Sequence, residues 1–225
     1  IVLPEVWTVG WSPKHFRDSA EEIQTSETID FLSNIARDCK SWVIGGSFIT
    51  KIDTHYYNTC PVLNRHGELI ATFSYYGSDE GKYVEVGASP VMVDIEGVKT
   101  GLTICYDIRF PEIYRAYRKA GADLLINCAA WGLKKPIPWE CMTRCRAVEN
   151  QSFMVALTQS GYIEDNEWNI GHSRIIDYKG DSIAEIKDQK EGVMSATLNF
   201  VPMYDFRNKC TCINDIRETY EVKRV

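Results

Sequence analysis

The chain has 225 residues, 44% of them hydrophobic and 25% charged; this excludes global disorder and suits one domain, residues 1–225, with a sizeable core. A net charge of −6 argues against nucleic acid or an anionic membrane as a main partner. No apolar run approaches a membrane span and no signal peptide is visible at the start, so a cytoplasmic protein is expected.

Residues 1–3 read as a strand fragment that ends at Pro4-Glu5. Residues 21–40 have helical periodicity, with Ile23, Ile29, Phe31, Leu32 and Ile35 on the apolar face. A strand over 42–50 contains Gly45-Gly46, where the backbone is expected to pass close to another group. Strands over 56–64 and 69–72 pair around the turn Asn64-Arg-His-Gly67. A loop over 75–90 precedes a strand over 91–94 and a β-branched, buried strand over 100–104.

The next helix has Pro111 and Glu112 in its first turn and Ile113, Tyr114 and Tyr117 on its core face, and it runs to Gly121. A strand over 122–128 leads into Ala129-Ala130-Trp131. A helix over 139–150 follows, with Arg144 and Arg146 solvated. Beyond it come a strand over 152–159, a hairpin over 173–186 and a strand over 193–198; the chain after Pro202 reads as irregular. Alternating strands and helices without a linker indicate a layered α/β domain.

Chemistry concentrates at Cys105, placed between a strand end and a helix start, where backbone N–H groups can stabilise a thiolate. The other cysteines are Cys39, Cys60, Cys128, Cys141, Cys145, Cys210 and Cys212. Most read as core thiols in a reduced protein, and no C-x-x-C is present. The pairs Cys141/Cys145 and Cys210/Cys212 have no histidine nearby and read as incidental, so no metal is expected. None of the four histidines is placed to pair with Cys105, which disfavours a papain-like mechanism. Carboxylates are the better bases: Glu5 at a strand end, and Glu80 seven residues ahead of Gly87.

Six short motifs occur in order: Leu3-Pro4-Glu5, Gly45-Gly46-Ser47, Tyr57-Asn58-Thr59, the run from Gly101 to Glu112, Arg146-Ala-Val-Glu149-Asn150 and Gly171-His172-Ser173. Together they resemble the nitrilase superfamily of carbon–nitrogen hydrolases, and within it the amidase branch that includes omega-amidases. The resemblance extends from residue 1 to about residue 220. It implies an α-β-β-α sandwich and a Glu-Lys-Cys catalytic set, with Glu5 as base, Cys105 as nucleophile and Glu80 as a supporting glutamate. It also implies Tyr106 as an oxyanion donor through its backbone N–H, and Trp131 near the substrate. The implied reaction is hydrolysis of a small-molecule amide through a cysteine thioester, without cofactor, in a homodimer or higher homo-oligomer. A nitrilase, an N-carbamoyl amide hydrolase and an inactive binding relative remain as alternatives.

Two departures stand out. The superfamily has a strand and a helix ahead of the segment matching residues 1–5. Its lysine belongs where Thr72 meets Phe73, and Lys82 is the nearest substitute in sequence. The clean junction suggests that Thr72 and Phe73 are not joined directly, their Cα atoms lying farther apart than the ~3.8 Å of a trans peptide. A direct bond there would instead favour the lysine-less relative.

Overall fold

The computed structural model describes residues 1–74, 83–164, 167–217 and 219–224. In chain order the elements are α1 (Glu27–Cys39), β1 (Val43–Ile44), β2 (Phe48–Ile52), β3 (His55–Leu63), β4 (Leu69–Ser74), β5 (Val91–Ile95) and β6 (Val98–Ile104). They continue with α2 (Pro111–Lys119), β7 (Leu124–Ala129), α3 (Pro136–Asn150), β8 (Phe153–Thr158), β9 (Ser160–Tyr162) and β10 (Trp168–Ile170). The last are β11 (Arg174–Ile176), β12 (Ser182–Glu185) and α4 (Phe200–Lys209).

Two sheets pack face to face. In the larger, the order is β12-β11-β8-β7-β6-β5; β6, β7 and β8 run parallel, and β5, β11 and β12 are antiparallel to their neighbours. In the smaller, β3 carries β4 along one side and both β1 and β2 along the other. Side-chain alternation assigns the faces. Leu102 and Ile104 of β6 and Cys128 of β7 join Cys60 and Val62 of β3 in the core between the sheets. Gly101 and Thr103 turn the other way, toward α2: a Cβ on Gly101 would stand 2.6 Å from the Tyr117 ring, and Thr103 Oγ1 lies 2.6 Å from Tyr114 Oη. α1 covers the smaller sheet through Ile29, Leu32 and Ala36 against Val43, Phe48 and Leu63. The layers are those of the α-β-β-α sandwich.

β1 and β2 are one edge interrupted at Gly45-Gly46-Ser47, and the interruption has a purpose. The Ser47 N–H donates to the Pro4 carbonyl at 3.1 Å, and Ser47 Oγ accepts from the Val6 N–H at 2.9 Å. Gly46 has φ +65°, and a Cβ there would stand 1.9 Å from the Pro4 carbonyl oxygen. The glycine pair is where the backbone passes close to the segment that carries Glu5.

Several expectations are corrected. β4 runs unbroken through Thr72 and Phe73, which pair with consecutive β3 residues Pro61 and Cys60; the two residues are directly joined. The first helix starts at Glu27, because Ser26 Oγ caps it by accepting from the Ile29 N–H at 3.0 Å. Its residue Phe31 is exposed, while Ala36 takes the core position. Arg146 is buried and donates through Nε and Nη2 to the Ile108 carbonyl, with its guanidinium over the Tyr114 ring.

Residues 193–198 form no strand, having no ladder partner among the described residues. The segment around Pro202 is helical, since proline is tolerated in the first turn of α4. Of the eight cysteines only Cys60, Cys105 and Cys128 are buried; all eight are free thiols. No helix among the described residues is long and apolar enough to cross a membrane.

Gly46→Ala combines a positive φ with a collision against backbone. It should cost roughly 2–4 kcal/mol in urea unfolding, as strained-backbone substitutions do, whereas Gly97→Ala, with nothing within 4 Å of its Cβ, should cost clearly less.

Candidate active site

The C-terminal ends of the three parallel strands converge, the usual place for a site in an α/β sheet. β6 ends at Ile104, and the φ of +41° at Cys105 just after it marks a strained turn rarely adopted by a residue with a side chain. A 3-10 turn, Cys105–Arg109, separates the strand from α2. Asp107, fully buried, closes the turn by accepting from the Ile104 N–H at 2.9 Å. Behind the thiol, Asn127 donates to Thr103 Oγ1 at 3.0 Å and to the Cys105 carbonyl at 3.5 Å. The Cys105 turn is thus tied to α2, α3 and β7.

Glu5 is 0% exposed, contrary to the ordinary fate of a loop glutamate. One carboxylate oxygen accepts from Asn58 Nδ2 of β3 at 2.8 Å, the other from the Ala130 N–H beyond β7 at 2.7 Å. Its own carbonyl accepts from Gln159 Nε2 at 2.5 Å, and Gln159 is in turn held by Asn169 Nδ2 at 2.9 Å. Glu5 also hydrogen-bonds Cys105, which places the expected base and nucleophile together. Burial pushes its carboxyl up from 4.5 to about 7; the hydrogen bonds from Cys105, Ala130 and Asn58 oppose that rise, and Asp107 adds to it.

A cavity of about 520 Å³ opens onto Cys105 and is lined by Tyr106, Arg109, Ala130 and Trp131. Trp131 is fixed by its indole N–H, which donates to the Lys135 carbonyl at 2.7 Å, and by packing on Trp139. The Arg109 guanidinium lies over both Tyr106 and Trp131, 5.3 and 5.0 Å from the ring centres. Its Nε is buried and has no hydrogen-bond partner among the described residues. Lys135, Glu164 and Glu167 also border the cavity, and Glu164 is neutralised by Lys14 and accepts from Ser12 Oγ at 2.6 Å.

Glu5, Cys105, Tyr106 and Trp131 therefore share one site. Glu80 and Lys82 lie outside the described residues. The sequence reading missed Asn58, Gln159 and Arg109 as functional positions. Asn58 and Arg109 stood inside recognised motifs, and the four-residue step from Cys105 to Arg109 was the available signal. Gln159 had none. Among the described residues no group of three or more His, Cys, Asp or Glu could hold a metal ion.

Because the Glu5 carboxyl is raised above its unfolded value of 4.5, the stability it contributes is fully present below that value and is lost as pH rises through about 7. The stability difference between wild type and Glu5→Gln should shift toward the variant over this window and be flat above it in pH-dependent urea unfolding. Alkylation of Cys105 should accelerate with a midpoint near 7, where Glu5 becomes a proton acceptor. In Glu5→Gln the midpoint should move to the ordinary cysteine range of about 8.5 or higher; an unmoved midpoint would show that Glu5 does not take the thiol proton.

Comparison with known proteins identifies the family. Residues 1–208 match the family model described as carbon-nitrogen hydrolase. A 2-oxoglutaramate amidase from Paenarthrobacter nicotinovorans is 36% identical, the match covering 96% of this chain and 78% of that protein. A 2-oxoglutaramate amidase from Bacillus subtilis is 32% identical, over 97% of this chain and 85% of the relative. The crystal structure of Saccharomyces cerevisiae Nit3, a member of branch 10 of the nitrilase superfamily, superimposes with a TM-score of 0.87 at 28% identity, covering 92% of this chain and 79% of Nit3. The chain belongs to the carbon–nitrogen hydrolase family of the nitrilase superfamily, and is a hydrolase of its amidase type.

Proposed function

We propose that the protein hydrolyses a small amide whose far end carries a carboxylate, through a thioester on Cys105. The observation that carries this reading is the buried Glu5, hydrogen-bonded to Cys105 and poised to exchange a proton at about pH 7. Glu5 takes the thiol proton as the sulfur bonds to the amide carbonyl carbon. The oxyanion faces the Tyr106 backbone N–H. Collapse expels the nitrogen, which leaves as ammonia or amine with the proton from Glu5. Water then attacks the thioester, giving its proton to Glu5, and the acid departs as the thiol is restored. Cys105→Ala should abolish turnover with little change in unfolding free energy.

Arg109 supports the substrate class. A guanidinium lying over two aromatic rings at the cavity wall can present its N–H fork to a carboxylate. The two relatives named 2-oxoglutaramate amidases make that compound the first substrate to test, by ammonia release. Arg109→Ala should raise KM about 10- to 100-fold, the worth of a hydrogen-bonded charge pair, with a smaller effect on kcat. Arg109→Lys should recover part of the loss, because it restores charge without the fork.

A second reading has its own support. β4 is unbroken where the family's lysine is expected, which favours a relative that binds the amide without turning it over. Saturable binding of 2-oxoglutaramate by calorimetry with neither ammonia release nor an acylated Cys105 would establish it and overturn the first.

A further inference from the structure

Beyond residue 208, where the match to the family model ends, the chain brings two thiols together. The sulfurs of Cys210 and Cys212 lie 3.8 Å apart. Cys212 is exposed and Cys210 half-buried. The residues are two apart in the chain, so their Cα atoms stand within the ~7 Å that a disulfide spans, and the sulfurs need to close by less than ~2 Å to bond.

The mount under this pair is rigid. Gln151 Nε2 donates to the Cys210 carbonyl at 2.8 Å and contacts the Cys212 sulfur at 3.6 Å. Arg207, one turn back on α4, is fixed to Asp123, to the Gln151 and Ala122 carbonyls and to Ser152 Oγ. Arginines lie around the pair. Burial and the neighbouring Cys210 thiol push the Cys212 thiol up and Arg115 opposes that rise, while Arg118 feels Arg207, Arg115 and Cys212, with Asp123 as the counter-charge. Arg118 Nε is buried without a hydrogen-bond partner among the described residues.

We propose that Cys210 and Cys212 form a redox-active dithiol that closes to an intramolecular disulfide by exchange with a small carboxylate-bearing disulfide, drawn in by Arg115 and Arg118. The thiolate of one cysteine attacks the external disulfide, forming a mixed disulfide and releasing one thiol. The second cysteine attacks its neighbour's sulfur, forming the internal bond and releasing the other thiol. The dithiol loses two electrons and two protons, and the external disulfide gains them.

The test treats the full reduced chain with oxidised glutathione, or in a parallel arm with the cationic disulfide cystamine. Remaining thiols are alkylated and the digest is mapped by mass spectrometry. Oxidised glutathione should yield an internal Cys210–Cys212 link, while the exposed Cys39, Cys141 and Cys145 are recovered without internal links. The link should form roughly 10-fold faster with glutathione disulfide than with cystamine, in the range of electrostatic steering, and Arg118→Ala should narrow that ratio. Cys212→Ser should leave Cys210 as a glutathione adduct. Adducts on the wild-type pair without an internal link, or equal rates from the two disulfides, overturn the proposal.

Discussion

Burying the Glu5 carboxylate between the two sheets is unfavourable unless donors meet it, and much of the architecture is arranged to meet it. One donor comes from β3 of the smaller sheet and one from the end of β7 in the larger. The carboxylate is therefore a polar bridge between layers whose shared core is otherwise largely apolar. Burial dominates the donors, leaving the group near neutrality rather than fully ionised. A carboxylate with stronger donors would be a better anchor and a poorer base. The site uses the compromise.

Cys105 is held by a different kind of support. Its turn is strained, and strain persists only where neighbours over-determine it. Asp107 grips the strand end, Asn127 reaches the Cys105 carbonyl, and buried Arg146 ties the Ile108 carbonyl to α3. α2 and α3 thus fix the Cys105 turn from behind, while Asn58 of the smaller sheet holds Glu5 beside it. Only the cavity side is left open.

How much of this was legible in the chain depends on range. Cys105 was visible because strand, turn and helix signals adjoin within a dozen residues. Gly45-Gly46 was legible as a close approach, since two adjacent glycines in a strand have few other reasons. Glu5 was different: its place at a strand end made it a candidate base, but a glutamate there is ordinarily solvated, and it was the order of distant motifs that singled it out. Arg146 was misread because its partner, the Ile108 carbonyl, belongs to another element and leaves no trace in helical periodicity. The helix around Pro202 was missed because proline inside a helix and proline in its first turn look alike until the start is known. The direct bond between Thr72 and Phe73 went against the expectation drawn from the family pattern, and it leaves Arg109 and Lys135 as the cations bordering the cavity among the described residues.

The separations along the chain that Glu5 spans have a consequence for how the protein acquires its chemistry. Its partners lie 53, 125 and 154 residues downstream, so the site around it is built from strongly non-local contacts. Such contacts form late, because loop closure must precede them. During synthesis from the N-terminus, the cysteine emerges and its strand can pair well before Ala130 and Gln159 are available. Until they arrive, Glu5 is a solvated acid and Cys105 an ordinary thiol. On the proposed mechanism, activation of Cys105 is thereby deferred to the last stage of assembly, and a partly folded chain carries no primed cysteine.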